Sequence, residues 1–81
     1  MRKPYNYTIC KVPSAEYFYK QCSAIERHIQ NLTKDKLLQD VDGSLFQVYR
    51  HDKGEIKVCN DYAIGCLYLE TDFDLTEFFS K

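Results

Sequence analysis

The stretch Ser14-Ala15-Glu16-Tyr17-Phe18-Tyr19-Lys20-Gln21-Cys22-Ser23-Ala24-Ile25-Glu26-Arg27-His28-Ile29-Gln30-Asn31-Leu32 decides how the chain is built. Within it Phe18, Cys22, Ile25, Ile29 and Leu32 recur at steps of four, three, four and three. That spacing draws one apolar stripe along a helix, and Ala15 extends it backwards. Pro13 stops whatever precedes, Ser14 is placed as the N-cap, and Glu16 puts a negative charge in the first turn, where the helix dipole favours it. Glu16 and Lys20 form an i,i+4 pair on the wet face with Tyr19, Ser23, Glu26, Arg27 and Gln30. The pattern dissolves over residues 31–36, where the chain turns.

On either side the period changes from helix to strand. Residues 5–12 alternate, with Tyr5, Tyr7 and Ile9 on one face and Thr8, Cys10 and Val12 on the other, and predict a first strand. Downstream, residues 36–41 and 44–50 flank Asp42-Gly43, a dipeptide suited to a type I′ hairpin turn. A second turn at residues 51–54 leads into a strand at 55–59. Asn60-Asp61 turns again, and residues 62–69 read as a last strand, apolar on both sides and so placed inside the sheet. Thr71, Asp72 and Asp74 are N-cap residue types, and Asp74 with Glu77 has capping-box spacing, which predicts a short helix over 72–80 anchored by Phe73, Leu75, Phe78 and Phe79. The expected fold is α+β: a two-layer sandwich with an antiparallel sheet of four to five strands packed on one long helix, in the order β-α-β-β-β-β-α.

Eighty-one residues leave room for one domain, residues 1–81, and 44% apolar with 15% aromatic residues is enough for a core. No apolar run reaches signal-peptide or membrane-span length, so a cytoplasmic protein is expected. Cys10, Cys22, Cys59 and Cys66 include no C-x-x-C pair and no zinc-finger spacing to His, and are read as small buried hydrophobes. Two N-x-T sequons, at Asn6 and Asn31, would matter only in a secreted chain.

The residues also narrow the chemistry. His28 lies on the helix beside its apolar stripe and is read as an edge-of-core residue; His51 lies in a turn. Cys22 and His28 are six residues apart, about 240° around the helix, so they cannot act as a pair within it. Asp72-Phe73-Asp74 opens like a calcium loop but lacks the glycine at which such a loop turns. With only three glycines and no phosphate-binding motif, nucleotide binding has no support. The order of helix, three strands and helix is also that of double-stranded-RNA-binding domains, but here the last helix would carry Asp72, Asp74 and Glu77, which repel phosphates. No cofactor, no metal, no catalytic residue and no direct contact with nucleic acid or membrane are expected.

The strongest compositional bias is in charge. The net charge is −1, yet residues 1–40 balance to +3 (seven Lys/Arg, four Asp/Glu) and residues 41–81 to −4 (four against eight). From Asp61 to Ser80 there are five acids, Asp61, Glu70, Asp72, Asp74 and Glu77, and no base. Together with Tyr62 and Tyr68 these acids make a candidate surface for a partner, the carboxylates steering a cationic protein and the aromatics anchoring it. The plainer alternative is that the acids are helix caps and solvated strand ends and the aromatics are core. The function expected from the first reading is a non-enzymatic protein-binding module, an inhibitor or immunity-type protein (toxin immunity, or phage or plasmid anti-defence) covering a basic surface of its target, such as a nuclease or nucleic-acid-binding complex. The alternative is a small homodimer with a regulatory or structural role, paired through a sheet edge.

Overall fold

The computed structural model describes residues 3–76. Its elements are β1 (Tyr5–Cys10), α1 (Ala15–His28), β2 (Thr33–Lys34), β3 (Leu38–Gln39), β4 (Leu45–His51), β5 (Gly54–Asp61) and β6 (Cys66–Thr71). All six strands join one antiparallel sheet in the order β1-β6-β5-β4-β2, and β3 also pairs with β4. The chain is therefore α+β with one helix among the described residues, as expected, but the strand count and order differ. The additional strand is β2, two residues in the stretch that the sequence suggests is only a turn. Of the C-terminal helix expected over 72–80, residues 72–75 are not helical, and Glu77, Phe78 and Phe79 lie outside the described residues.

The helix begins where the sequence places it. Ser14 has extended backbone angles and its side chain accepts from Tyr17 N, while Ile29 ends the helix. Phe18, Cys22, Ile25 and Ile29 are buried and share one hydrophobic cluster with Leu45, Tyr49, Ile56, Val58, Leu67, Leu69, Phe73 and Leu75. Leu32 packs against that cluster half-buried. Ala15 is exposed, so the stripe starts a turn later than the sequence spacing implies, and His28 is exposed rather than at the edge of the core.

Two polar contacts tie the helix to the strands beneath it. At its start, Ser14 N donates to Asn60 Oδ1 on β5 (2.8 Å). Near its end, Tyr49 Oη on β4 donates to Glu26 Oε2 (2.5 Å), which Lys34 Nζ also meets at 3.1 Å. Asn60 and Tyr49 are both 0% exposed. Burial followed by the Glu26 hydrogen bond raises the Tyr49 phenol, and the same bond followed by Lys34 lowers the Glu26 carboxyl.

The turns depart from their expected forms. Of the Asp42-Gly43 pair only Gly43 has a positive φ (+91°), whereas a type I′ turn needs it at Asp42 as well. Instead Gly43 N bonds Asp40 O and Asp40 N bonds Ser44 O, which makes a three-residue loop closed by a left-handed glycine. The β4–β5 turn ends at Gly54 (φ +142°), where an added Cβ would lie 2.5 Å from Asp72 Cβ, so no side chain fits. β5 runs on through Asn60 and Asp61, and residues 62–65 are a turn closed by Gly65 N to Asp61 O (2.8 Å). Tyr62 is thus in a turn, and the last strand starts at Cys66.

The register defines two faces. Tyr49, Ile56, Val58, Leu67 and Leu69 belong to the core cluster, so the residues alternating with them point the other way. In β1 the register shifts between Thr8 and Cys10, making Ile9 the extra residue of a bulge. The shift lets Tyr7 and Cys10 both pack on the core, although strict alternation puts them on opposite faces.

Ile25→Ala removes a fully buried side chain from the helix and is expected to cost about 2–5 kcal/mol. Asn60→Ala leaves the Ser14 N–H without its acceptor and is expected to cost about 1–3 kcal/mol. Urea titrations followed by circular dichroism give both values. A loss under about 0.5 kcal/mol in either variant would refute the corresponding contact.

Candidate functional site

The face of the sheet opposite the core cluster carries a row that crosses five strands. Register pairs Leu38 with Phe46, Phe46 with Cys59, Cys59 with Tyr68, and Tyr68 with Thr8. No element covers this face among the described residues. Leu38 is 53% exposed, and Phe46 and Tyr68 are half-buried. Between those two rings Cys59 is fully buried although no helix lies over it. Burial pushes its thiol up to about 11, so it is a small hydrophobe and not a nucleophile at neutral pH.

Beside the row lie carboxylates. Glu70 is two residues from Tyr68 on β6, and Asp61 is paired with Cys66 at the strand end. Burial is the main cause that raises the Tyr68 phenol; Cys59 contributes, and the charges of Glu70 and Asp61 add to it. Tyr68 therefore remains a hydrogen-bond donor. Asp61 also shapes its own turn, since Oδ1 accepts from Ala63 N (2.9 Å) and Ile64 N (3.1 Å). Bases share the face as well: Lys57, in register with Glu70, has its ammonium 5.4 Å from the centre of the Phe46 ring, and Arg50, in register with Glu55, meets Asp35 (2.9 Å).

Next to the β1 edge this face dips into a hollow of about 460 Å³ lined by Asn6, Thr8, Ile64, Cys66, Tyr68 and Glu70. Of the seven residues singled out in the sequence, Tyr68 and Glu70 line this hollow, and Asp61 stands on the same face beside Cys66. The other four do neither. Tyr62 is in the turn, its N–H donating to Ser44 Oγ and its ring beside Gly43. Asp72 accepts from Glu55 N (2.8 Å) and pairs with Lys3 (3.3 Å). Asp74 lies on the core side, where it accepts from Tyr7 Oη (2.9 Å) and from Thr76 N (2.9 Å). Glu77 lies outside the described residues.

Asp72 and Asp74 both accept hydrogen bonds within the fold, Asp72 from a strand N–H rather than as a helix cap. Asp72 belongs to a charged group at one end of the sheet in which Lys3 also meets Glu55 (3.1 Å) and Arg50 meets Asp35 (2.9 Å). The Glu55 N–H, then Lys3, hold the Asp72 carboxyl below the usual range; the Thr76 N–H and hydroxyl do the same for Asp74.

The lining residues that sequence reasoning missed are Asn6, Thr8, Ile64 and Cys66, with Leu38 and Phe46 along the row. Alternation in β4 and β6 marks Phe46, Cys66, Tyr68 and Glu70 as facing one way. Which residues of β1 and β3 stand beside them depends on the register, which alternation does not supply.

Elsewhere, His51 Nδ1 accepts from Lys53 N (3.1 Å) and its ring lies against Phe73 (5.3 Å between centres). All four cysteines are free thiols. Among the described residues no three His, Cys, Asp or Glu side chains are grouped to hold a metal ion, and no helix is long and apolar enough to cross a membrane. In comparisons with known proteins the chain matches no family model, no curated protein and no solved structure.

The depressed Asp72 pKa fixes a pH dependence. A carboxyl whose folded pKa is lowered adds stability above its unfolded value of about 3.9, and that stability is lost as pH falls through the folded value. Asp72→Asn is thus expected to lower the thermal midpoint by a few degrees at neutral pH, with the gap to the unsubstituted protein closing below about pH 3.9. A gap that stays constant through the acid range would show that the charge of Asp72 contributes nothing.

Proposed function

We propose that this chain is a non-enzymatic protein-binding module that covers a basic surface of its target with the helix-free face of its sheet, as an inhibitor or immunity-type protein does. The observation that carries this reading is the cross-strand row of Leu38, Phe46, Cys59, Tyr68 and Thr8 with Asp61 and Glu70 beside it. In the two-layer arrangement this reading assumes, α1 satisfies one face of the sheet and leaves the other for a partner. Aromatic and apolar groups at the centre with charges beside them are the composition of a protein interface. Carboxylates there speed encounter with a cationic partner. Asp72 and Asp74, engaged within the fold, leave the binding role to Asp61, Glu70 and Tyr68. A role inside the cell fits the four free thiols.

A second reading is supported by the contrast between the two sheet edges. The β2–β3 edge is broken into two-residue pieces around Asp35-Lys36-Leu37, whereas β1 presents six residues, Tyr5–Cys10, with no charged side chain. Uncharged edges are pairing surfaces, and two copies joined along the Tyr5–Thr8 part of β1, before the Ile9 bulge, would form one continuous sheet. Light scattering on the eluting peak separates the readings, because a strict monomer at high micromolar concentration eliminates the homodimer.

The inhibitor reading is tested by affinity capture from the native host's lysate at low salt and at about half-molar salt, where surface charge is screened, using the unsubstituted protein, Glu70→Lys, Tyr68→Ala and, on the far side of the helix, Lys20→Glu. A stoichiometric basic protein is expected that is retained by Lys20→Glu and lost at high salt and with either sheet-face variant. Capture that ignores both sheet-face variants, or no capture at either salt, would overturn it.

A further inference from the structure

We propose that two adjoining turns at one end of the sheet, residues 40–44 and 62–65, form a wedge that enters a cleft of the partner with an apolar floor and a rim of lysine and arginine. The inference rests on the inhibitor reading and deepens it by naming the part of the surface that leads and the chemistry it meets.

The two turns are held against each other. Leu45 is in register with Asn60, so the turn before β4 and the turn after β5 stand side by side. Tyr62 N donates to Ser44 Oγ (2.9 Å), and a Cβ added to Gly43 would lie 3.5 Å from the Tyr62 ring. Ser44 is buried, so this contact is the root of the wedge. Apolar side chains stand at the tips: Val41 is fully exposed, Ile64 is 65% exposed and Tyr62 47%. Full exposure means that the fold gains nothing from the Val41 side chain. The tips also continue the row on the open face, since β3, with Leu38, leads into the first turn, and Ile64 stands in the hollow with Tyr68. Adjoining exposed apolar groups of this kind mark contact surfaces.

The carboxylates of the same turns are charged and uncompensated. Asp40 and Asp42 flank Val41, and Asp61 precedes Tyr62. One oxygen of each accepts within its own turn, from Val41 N, from Ser44 N, and from Ala63 N and Ile64 N respectively. Such N–H groups favour the ionised form and leave its net charge in place. Ser44, through its N–H and then its hydroxyl, holds the Asp42 carboxyl below the usual range. Among the described residues none of the three forms an ion pair with a base, Lys11 just past β1 included. At the opposite end of the sheet the acids are compensated, Asp35 by Arg50, and Glu55 and Asp72 by Lys3. Unpaired negative charge and exposed apolar tips therefore coincide at one end, and their complement is a cationic rim around an apolar floor. Among the described residues no three acidic, His or Cys side chains are grouped to hold a metal ion, so that complement is the spread charge of a protein surface.

The test is a nuclear magnetic resonance titration of isotope-labelled protein at low salt with three acetylated and amidated peptides: Lys-Leu-Phe-Leu-Lys, its acidic counterpart Glu-Leu-Phe-Leu-Glu, and the polar Lys-Ser-Ser-Ser-Lys. The cationic apolar peptide is expected to shift the amides of residues 40–44 and 62–65 with a Kd of about 0.1–1 mM, the weakness proper to a short segment. The polar cationic peptide is expected to bind about threefold or more weakly, and the acidic one to shift none of these amides. Raising the salt to about half-molar is expected to weaken the first peptide about tenfold. Asp40→Asn, Asp42→Asn and Asp61→Asn combined keep the acceptor oxygen of each turn and remove its charge; the Kd is expected to rise about tenfold with the spectrum outside the turns unchanged. Val41→Ser with Ile64→Ser is expected to raise it about three- to tenfold. Shifts spread over the whole protein, equal responses to the two cationic peptides, or an unchanged Kd in either variant would each overturn the proposal. Failure here is distinguishable from failure of the inhibitor reading: a basic partner captured equally well by both variants would remove only the wedge, and a peptide response at the turns with no basic partner captured would remove only the inhibitor.

Discussion

The structure depends on how α1 is fastened to β4 and β5. Its first turn is held by Asn60 on β5 and its last by Tyr49 on β4, both fully buried, with the Phe18, Cys22, Ile25 and Ile29 side chains filling the space between. β1 is one edge of the sheet and β2 the opposite edge, and α1 is the chain between them. Four strand spacings come to roughly 19 Å, and fourteen helical residues span roughly 21 Å. The helix is as long as the sheet is wide. Asn60 is committed through one atom: its oxygen takes the Ser14 N–H, while its side-chain nitrogen is buried with no hydrogen-bond partner among the described residues.

What could be read from the sequence follows from the range of the forces involved. The helix was legible because its signals are local: a capping serine, a stripe at helical spacing, and a proline before it. The strands were legible as strands, since residues 5–12 and 55–59 alternate, Asp42-Gly43 marks a turn between two more, and residues 62–69 form an apolar run. Register was not, because it is fixed by turns whose geometry hangs on a single backbone angle. Asp42-Gly43 carries the residue types of a two-residue turn, yet the left-handed conformation falls on Gly43 alone and the loop grows to three residues. The Ile9 bulge was equally hidden, because nothing in Tyr-Thr-Ile-Cys distinguishes a strict alternation from one with an extra residue. β2 escaped notice because two polar residues pair through their backbones, which leave no mark on side-chain pattern.

The acidic stretch shows why composition alone could only half define a surface. Five acids without a base suggested one continuous face, but neighbours in sequence diverge in space: Glu70 faces the open side, Asp72 turns to Lys3 and the Glu55 amide, and Asp74 meets Tyr7 on the core side. Alternation along β6 and the turn after it separates them. Charge bias along a sequence thus has two origins here, one in surface chemistry and one in the need for acceptors where backbone N–H groups lack partners.

Lys3 with Asp72, and Tyr7 with Asp74 and Leu75, join the first strand to the residues that follow the last one. β1 also pairs along its length with β6, some sixty residues away in sequence (Tyr7 with Leu69, Asn6 with Glu70). Vectorial synthesis therefore delivers β1 and α1 long before the strand that anchors them. The amphipathic helix must wait, its apolar stripe unburied, until residues 66–75 have left the ribosome, and the search for closure is governed by long-range pairing, the slow regime of folding. Shortening the chain from its C-terminal side would remove the seam that holds the N-terminal strand in the sheet.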